Sequence, residues 1–394
     1  MPQVSFPHRE RQADLRAAVS ELCAKYDAAY WERQDREHTF PTDFVREFVD
    51  AGYMGAFIPE EYGGGGGSMA DMSAIVEEVA ASGGGLNATS SIHIPLLCVP
   101  ALLSFGTEEQ KQEFLPKVAR GELFVTFGVT EPTAGTDTIR ITTRATRVDG
   151  GYLINGAKVW NSGAVRGDKI LFLARTSAPG EAGGRRGTGL TLFMTDLQVP
   201  TIDIRPIPKM VRNAVESCEV FFADTFVADH EVIGRVDEGF YHMLHSLNGE
   251  RLLIASEALG LGRWAIENAS RYANERIVFD RPIGMNQSVA HPLAKSYLQL
   301  LAGAEMLTRA IDVYATQGPA AAGLLSNAAK YLISEAAFDA TDAAMQTFGG
   351  YSFAREYHIG RFWTEARLFR VGPVNNQMVL NYVAERALAL PRSY

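Results

Sequence analysis

Apolar positions recur at helical spacing over the first third of the chain. Leu15, Val19 and Leu22 form one stripe, and Phe44, Val45 and Phe48 another. Residues 1–124 therefore predict an α-helical N-terminal domain. Inside it, Pro59-Glu60-Glu61-Tyr62 runs into Gly63–Gly67, five glycines that predict a flexible turn. Thr107-Glu108-Glu109-Gln110 predicts a helix start with Thr107 as the cap. The period then falls to two. Ile139–Val148 alternates apolar and polar, and Lys169–Ala174, Leu190–Met194 and Cys218–Phe222 are short β-rich runs. Asp149-Gly150-Gly151 predicts a hairpin turn, and Ala178–Gly187 reads as a mobile loop. Residues 125–235 thus predict a middle β domain. Helical spacing returns over 236–394, where Leu252–Gly262 is apolar on most sides and predicts a helix buried on several faces. Helix, sheet, helix in that order predicts an α+β fold of segregated domains, not alternating βαβ units. No G-x-G-x-x-G joins a strand to a helix, which argues against a Rossmann site.

Composition narrows the partners. The 394 residues are 46% hydrophobic and 21% charged, a globular balance with a large core. A net charge of −9 without a basic block argues against nucleic acid. The polar start, Met1 to Glu10, does not look like a secretory signal, and no apolar run near twenty residues stands out, so no membrane span is expected. Cys23, Cys98 and Cys218 are few and far apart, and read as buried, reduced thiols of a cytoplasmic protein. His242 and His245 share a helical face but have no third ligand in view, so they read as structural and no metal is expected.

The stretch Gly128–Asp137, Gly-Val-Thr-Glu-Pro-Thr-Ala-Gly-Thr-Asp, carries the chemistry. Its small residues leave backbone N–H groups and threonine hydroxyls open, which suits a planar polar heterocycle such as a flavin. Alone, such a stretch favours an ordinary loop. Five other segments change that: Pro59–Gly64; Gly106–Lys111 with Leu115-Pro116 and Gly121-Glu122; Gly156–Ala164; Arg276–Phe279 with Pro282-Ile283 and Gln287; and Gln346–Gly350 with Arg361 and Glu365 behind it. Together and in this order they resemble the acyl-CoA dehydrogenase family over nearly the whole chain.

That resemblance implies an N-terminal helical domain, a β-barrel-like middle domain and a C-terminal four-helix bundle (236–394). It implies FAD as cofactor. Phe127, Val129, Thr130, Gly135 and Thr136 would hold the ring and its ribityl or phosphate groups. Trp160 would pack on the flavin, and the Ser162 hydroxyl would lie near N5. Arg276 would pair with the pyrophosphate of a neighbouring protomer's FAD, with Phe279, Gln287, Gln346, Gly349 and Gly350 completing that site. A site shared in this way implies a homotetramer.

The catalytic base departs from the usual pattern. Most family members carry a glutamate in a Tyr-Glu-Gly-Thr type loop near the C-terminus. Here Phe369–Gln377 holds no acid, and Pro373 falls about where the glutamate belongs. Asn248-Gly-Glu250-Arg251-Leu resembles instead the segment of isovaleryl-CoA and long-chain acyl-CoA dehydrogenases in which the base sits on a helix. Glu250 would then take the Cα proton of an acyl-CoA while hydride passes from Cβ to flavin N5, giving a trans-2-enoyl-CoA. Arg251 would lie near CoA or brace the loop at 370–375. Proline lacks an N–H, so a shifted register using Gly372, or a flavin ribityl hydroxyl, would polarise the thioester carbonyl. Ser90–Leu103 would line the acyl pocket, and the helix-borne base points to a branched, terpenoid-like or longer acyl group. Electrons would leave to an electron-transfer flavoprotein or similar acceptor, as in fatty acid metabolism. Two alternatives stay open. One is a same-fold flavin oxidase, monooxygenase or carrier-protein-thioester dehydrogenase. The other is a non-catalytic flavin-binding paralogue.

Overall fold

The structure, a computed structural model, describes residues 4–178, 181, 183 and 185–392. Pro179, Gly180, Ala182 and Gly184, which belong to the glycine-rich loop expected at 178–187, lie outside the described residues, as do Met1, Pro2 and Gln3.

Seven helices open the chain: α1 (Ala13–Cys23), α2 (Ala28–Glu37), α3 (Thr42–Asp50), α4 (Met69–Val79), α5 (Gly85–His93), α6 (Val99–Phe105) and α7 (Glu108–Ala119). The α7 start is the expected capping box: Thr107 Oγ1 accepts from Gln110 N, and the Gln110 side chain accepts from Thr107 N. The glycine run is not flexible. All five amides from Gly63 to Gly67 donate to backbone carbonyls between Gly55 and Glu60. A Cβ on Gly64 would fall 2.0 Å from Ile58 O, so close packing, not freedom, requires glycine there.

Helices α4 to α6 follow one another from Met69 to Phe105, bent by a wide turn at Ala80–Gly84 and a tight one at Ile94–Cys98. The wide turn is held by α11 (Ile359–Phe369). Arg361 donates to Gly83 O and Gly84 O, and Glu365 accepts from Leu86 N at 2.8 Å. Among the described residues this run alone is long and apolar enough to cross a membrane. Two thirds of its most apolar stretch is buried inside the fold, as in a core helix.

Among the described residues nine strands follow: β1 (Val125–Gly128), β2 (Arg144–Val148), β3 (Gly151–Ser162), β4 (Lys169–Arg175), β5 (Leu190–Asp196), β6 (Ile202–Pro206), β7 (Ser217–Ala228) and, beyond α8, the hairpin β8 (Ile277–Val278) and β9 (Arg281–Pro282). The first seven form a curled sheet ordered β1-β4-β2-β3-β7-β6, with β5 added on β4. Val148 pairs with Gly151 across the expected Asp149-Gly150 turn. The alternation expected from Ile139 becomes a strand only at Arg144, because the Thr142 and Thr143 amides donate to the Glu131 carboxylate (2.6 and 2.9 Å) instead of to a neighbouring strand.

The C-terminal bundle consists of α8 (Gly239–Glu275), α9 (Gln287–Gln317), α10 (Gly323–Phe348) and α11, with α12 (Asn376–Arg386) against α10. Every residue from Leu252 to Ile266 is buried, as the all-round apolar pattern requires. Helix α8 approaches α4 so closely that a Cβ on Gly260 would lie 2.2 Å from Glu77 O. The same contact carries a buried ion network. Glu77 and Glu78 of α4 bind Arg16 of α1 and Arg263 of α8, which joins the N-terminal helices to the bundle. All three cysteines are buried free thiols.

Candidate active site

Between α4–α6, β1 and α8 lies a cleft of about 870 Å³, counting space open to solvent. Phe57, Ile58, Met69, Met72, Leu96 and Leu253 are among its mostly apolar walls. Glu250 of α8, Phe127 of β1 and Pro373 of the loop after α11 also line it. The helix-borne acid and the proline found where most of the family would carry a glutamate therefore face one space.

Glu250 is not alone. Its Oε2 accepts from His93 Nε2 at 2.8 Å, and His93 Nδ1 donates to Glu257 Oε1 at 2.6 Å. Burial opposes a charged ring, but the two carboxylates outweigh it and hold the His93 proton well above the usual imidazole range. Sequence reasoning missed both partners. The available signal was the seven-residue spacing of Glu250 and Glu257, which puts two acids on one face of a helix that is otherwise apolar.

On the sheet side, Glu131 holds the Gly128–Asp137 loop. Its carboxylate binds Lys158 Nζ at 2.9 Å as well as the Thr142 and Thr143 amides, and Val159 N donates to Thr130 O at 2.9 Å. Lys158 Nζ also reaches Val129 O at 3.3 Å. Thr136 Oγ1 accepts from Asn375 Nδ2 at 3.0 Å, which joins this loop to the one after α11, and Gly135 is exposed. A register shift between Lys158 and Asn161 in the β3–β7 pairing leaves Trp160 with a φ of 66° and its side chain 57% exposed. Two residues on, Ser162 Oγ accepts from Arg212 Nη2 at 2.9 Å, which leaves the serine hydrogen free to donate elsewhere. Arg212 Nε and Asn161 Oδ1 are buried without a hydrogen-bond partner. Unpaired polar atoms and an outward indole beside Ser162 fit a polar aromatic ligand on this face.

Two expectations about the loop at 370–375 change. The Gly372 amide, the sequence candidate for polarising a carbonyl, donates to Leu368 O at 3.0 Å and closes the end of α11, so it is not available. The loop is braced by Lys330 of α10, whose ammonium donates to Phe369 O, Val374 O and Asn376 Oδ1, each at 2.7 Å. Burial lowers Lys330 to about 8. Arg251, expected to lie near CoA or to brace this loop, does not brace it: it donates to Asn248 Oδ1 on its own helix at 2.7 Å.

A second set of residues lies on the outer surface. Phe279 is 92% exposed at the tip of the β8–β9 hairpin. Phe279 and Asp280 both have positive φ (52° and 59°), a conformation that aspartate tolerates where glycine is more usual. Arg276 lies over the Tyr351 ring at 5.8 Å, just beyond Gly349 and Gly350. Gln287, Gln346, Gly349 and Gly350 are exposed. Within one chain none of these residues lines the cleft. Elsewhere, His242 and His245 pack on the Phe105 ring (4.2 and 5.4 Å between centroids), and among the described residues no group of three metal-binding side chains occurs.

Two helical domains packed on each other and on a curled sheet, with an acid in an apolar cleft beside a threonine- and glycine-rich loop, fit a flavoprotein dehydrogenase class. Family models for the acyl-CoA dehydrogenase N-terminal, middle and C-terminal domains match residues 9–122, 126–225 and 237–388. Acyl-CoA dehydrogenase FadE12 of Mycobacterium tuberculosis is 34% identical over 394 residues, covering all of both chains. Mitochondrial isovaleryl-CoA dehydrogenase of Solanum tuberosum is 29% identical, over 92% of this chain and 87% of the relative. The structure of butyryl-CoA dehydrogenase from Megasphaera elsdenii superposes with a TM-score of 0.87 at 27% identity, over 95% and 98% of the two chains. The chain belongs to the acyl-CoA dehydrogenase family, and its cofactor is FAD.

Proposed function

We propose that this enzyme oxidises an acyl-CoA thioester to its trans-2-enoyl-CoA, with Glu250 as the base that takes the Cα proton. The observation carrying this reading is that Glu250 and Pro373 line one apolar cleft together with Phe127. FAD, when bound, supplies the hydride acceptor for Cβ and a ribityl hydroxyl for the thioester carbonyl. The chain's own residues do the rest. Phe127, Val129, Thr130, Gly135 and Thr136 hold the cofactor, Trp160 covers it and excludes water, and Ser162 offers it a hydroxyl hydrogen set free by Arg212. Gly372 and Pro373 bring no N–H to the thioester carbonyl, which would leave a ribityl hydroxyl of bound FAD to polarise it. Met69, Met72, Leu96 and Ile58 are among the apolar residues lining the cleft, which suits a branched or longer hydrocarbon chain and repels a dicarboxylic one. Anaerobic titration of the yellow protein with a panel of acyl-CoAs checks this. Branched or long saturated acyl-CoAs are expected to bleach the flavin. A panel in which none bleaches it would sink the reading. The electrons then pass to an electron-transfer flavoprotein or similar acceptor.

Four copies are expected to assemble as a dimer of dimers, because Arg276, Phe279, Gln287, Gln346, Gly349 and Gly350 are turned away from the cleft and would complete a neighbour's FAD site. The exposed Ile277, Val278, Phe279 and Met285, on and beside one hairpin, support this, since a contiguous exposed apolar patch marks an interaction surface. Gel filtration of the holoprotein should give a tetramer. A flavin-loaded monomer would contradict it.

A further inference from the structure

A carboxylate in an apolar cleft tends to take up a proton and stop being a base. Glu250 stands in such a cleft, yet its one hydrogen bond to a described residue comes from a histidine. We propose that His93, clamped from behind by Glu257, is the positioning residue of this active site: its charge-assisted hydrogen bond holds the Glu250 carboxylate in place and turns the second carboxylate oxygen to the substrate. The inference rests on Glu250 being the base.

The geometry is specific. Residues seven apart on α8 are separated by about 10 Å along the axis, too far for their carboxylates to share a proton directly. The ring of His93, entering from α5, closes that gap with bonds of 2.8 Å to Glu250 and 2.6 Å to Glu257. All three side chains are largely shielded from water. Because Glu257 occupies Nδ1, the ring cannot rotate away, and Nε2–H stays aimed at Glu250 Oε2. Among the described residues Glu250 Oε1 has no hydrogen-bond partner, so this is the oxygen left for the Cα proton.

Other charges face this group without replacing it. Arg251 acts on Glu250 only through space, since its hydrogen bond goes to Asn248. Arg212, in the loop before β7, sits near Glu257 and near Glu365 of α11, and its hydrogen bonds go to Ser90, Ser162 and Ser217. His93 is therefore the only cation with a hydrogen bond to Glu250 among the described residues. In the reaction, the Cα–H bond would break with its proton passing to Glu250, and the Cβ hydrogen would leave with its electron pair as Cα=Cβ forms, bound oxidised FAD supplying the hydride acceptor. His93 keeps its proton throughout.

The test is the pH dependence of anaerobic flavin bleaching in holoenzyme, using an acyl-CoA that bleaches the wild type. Removing the cation should raise the acid limb by roughly one pH unit or more in His93→Gln, the size expected for losing a close opposite charge. Glu257→Gln, which never touches Glu250, should move the limb the same way by letting the ring lose its proton. Near pH 6 the rates should then fall by roughly tenfold, and near pH 9 return to within about threefold of wild type. A uniform drop at every pH with an unmoved limb would show a merely structural role and overturn the proposal. Loss of FAD from both variants would likewise show a merely structural role and overturn the proposal. Glu250→Gln separates the two readings. Undiminished bleaching there removes the base itself, whereas abolished bleaching with unmoved limbs in the other two removes only the role of His93.

Discussion

Replacing Glu250 by glutamine is expected to slow anaerobic bleaching of the flavin by acyl-CoA by about 10²–10⁴-fold, the contribution of a positioned general base. The substitution is nearly isosteric, and the amide oxygen can still accept from His93 Nε2, so the cleft should keep its shape. What it loses is a group able to hold the Cα proton. The flavin spectrum and the stoichiometry of acyl-CoA binding should therefore be unchanged, which separates lost chemistry from lost structure. A second arm uses the two positions that share the cleft. Pro373→Glu in the Glu250→Gln background puts an acid back on the other wall, where most relatives are expected to carry theirs. Partial recovery of bleaching would show that the cleft accepts a base from either side. Bleaching by Glu250→Gln at the wild-type rate would refute the assignment outright.

The parts of this molecule legible in its sequence are those whose cause is local. A 3.6 period over α1 and α3, the Thr107 capping box and the Asp149-Gly150 turn each depend on residues within one or two turns of each other, and each forms as read. The apolar helix around Leu252 is legible for the same reason. Failures begin where a distant group intervenes. The glycine run looks flexible until the carbonyls of 55–60 are seen to take its amides. The strand expected from Ile139 is delayed because Glu131, eleven residues before Thr142, captures the amides it needs. The site divides in the same way. Glu250 could be proposed because its neighbours form a contiguous segment. His93, Arg212 and Lys330 reach their partners across 157, 50 and 39 or more residues, and no local spacing announces them. Gly372 shows the converse, since its position in the loop suggested a free amide that the end of α11 had already taken.

Glu131→Gln is expected to cost about 3–5 kcal/mol of stability and most of the bound FAD, because it strands a buried ammonium. Lys158 has no exposed side-chain surface, and its remaining contact is the more distant Val129 O. Burial already draws Lys158 down to about 8 with its partner present, while Glu131 is held at about 2 against its own burial by Lys158 and the Thr142 and Thr143 donors. The opposed directions indicate that the intact pair gains little over apolar packing, and that the damage comes from breaking one half of it. The double variant Glu131→Gln/Lys158→Met should accordingly be more stable than the single one, by urea unfolding. Acid provides an independent check. A carboxyl whose folded value lies below its unfolded value stabilises the fold above the unfolded value and loses that contribution as pH falls through the folded one. Wild type should therefore lose on the order of 3 kcal/mol from this group between about pH 4.5 and pH 2, and the Glu131→Gln variant should lack that part of the slope. Because Glu131 ties the Gly128–Asp137 loop to Lys158 of β3 and to Thr142 and Thr143, the ratio of flavin to protein absorbance should fall together with stability. A variant that unfolds early yet keeps its full flavin content would detach the ion pair from the cofactor site.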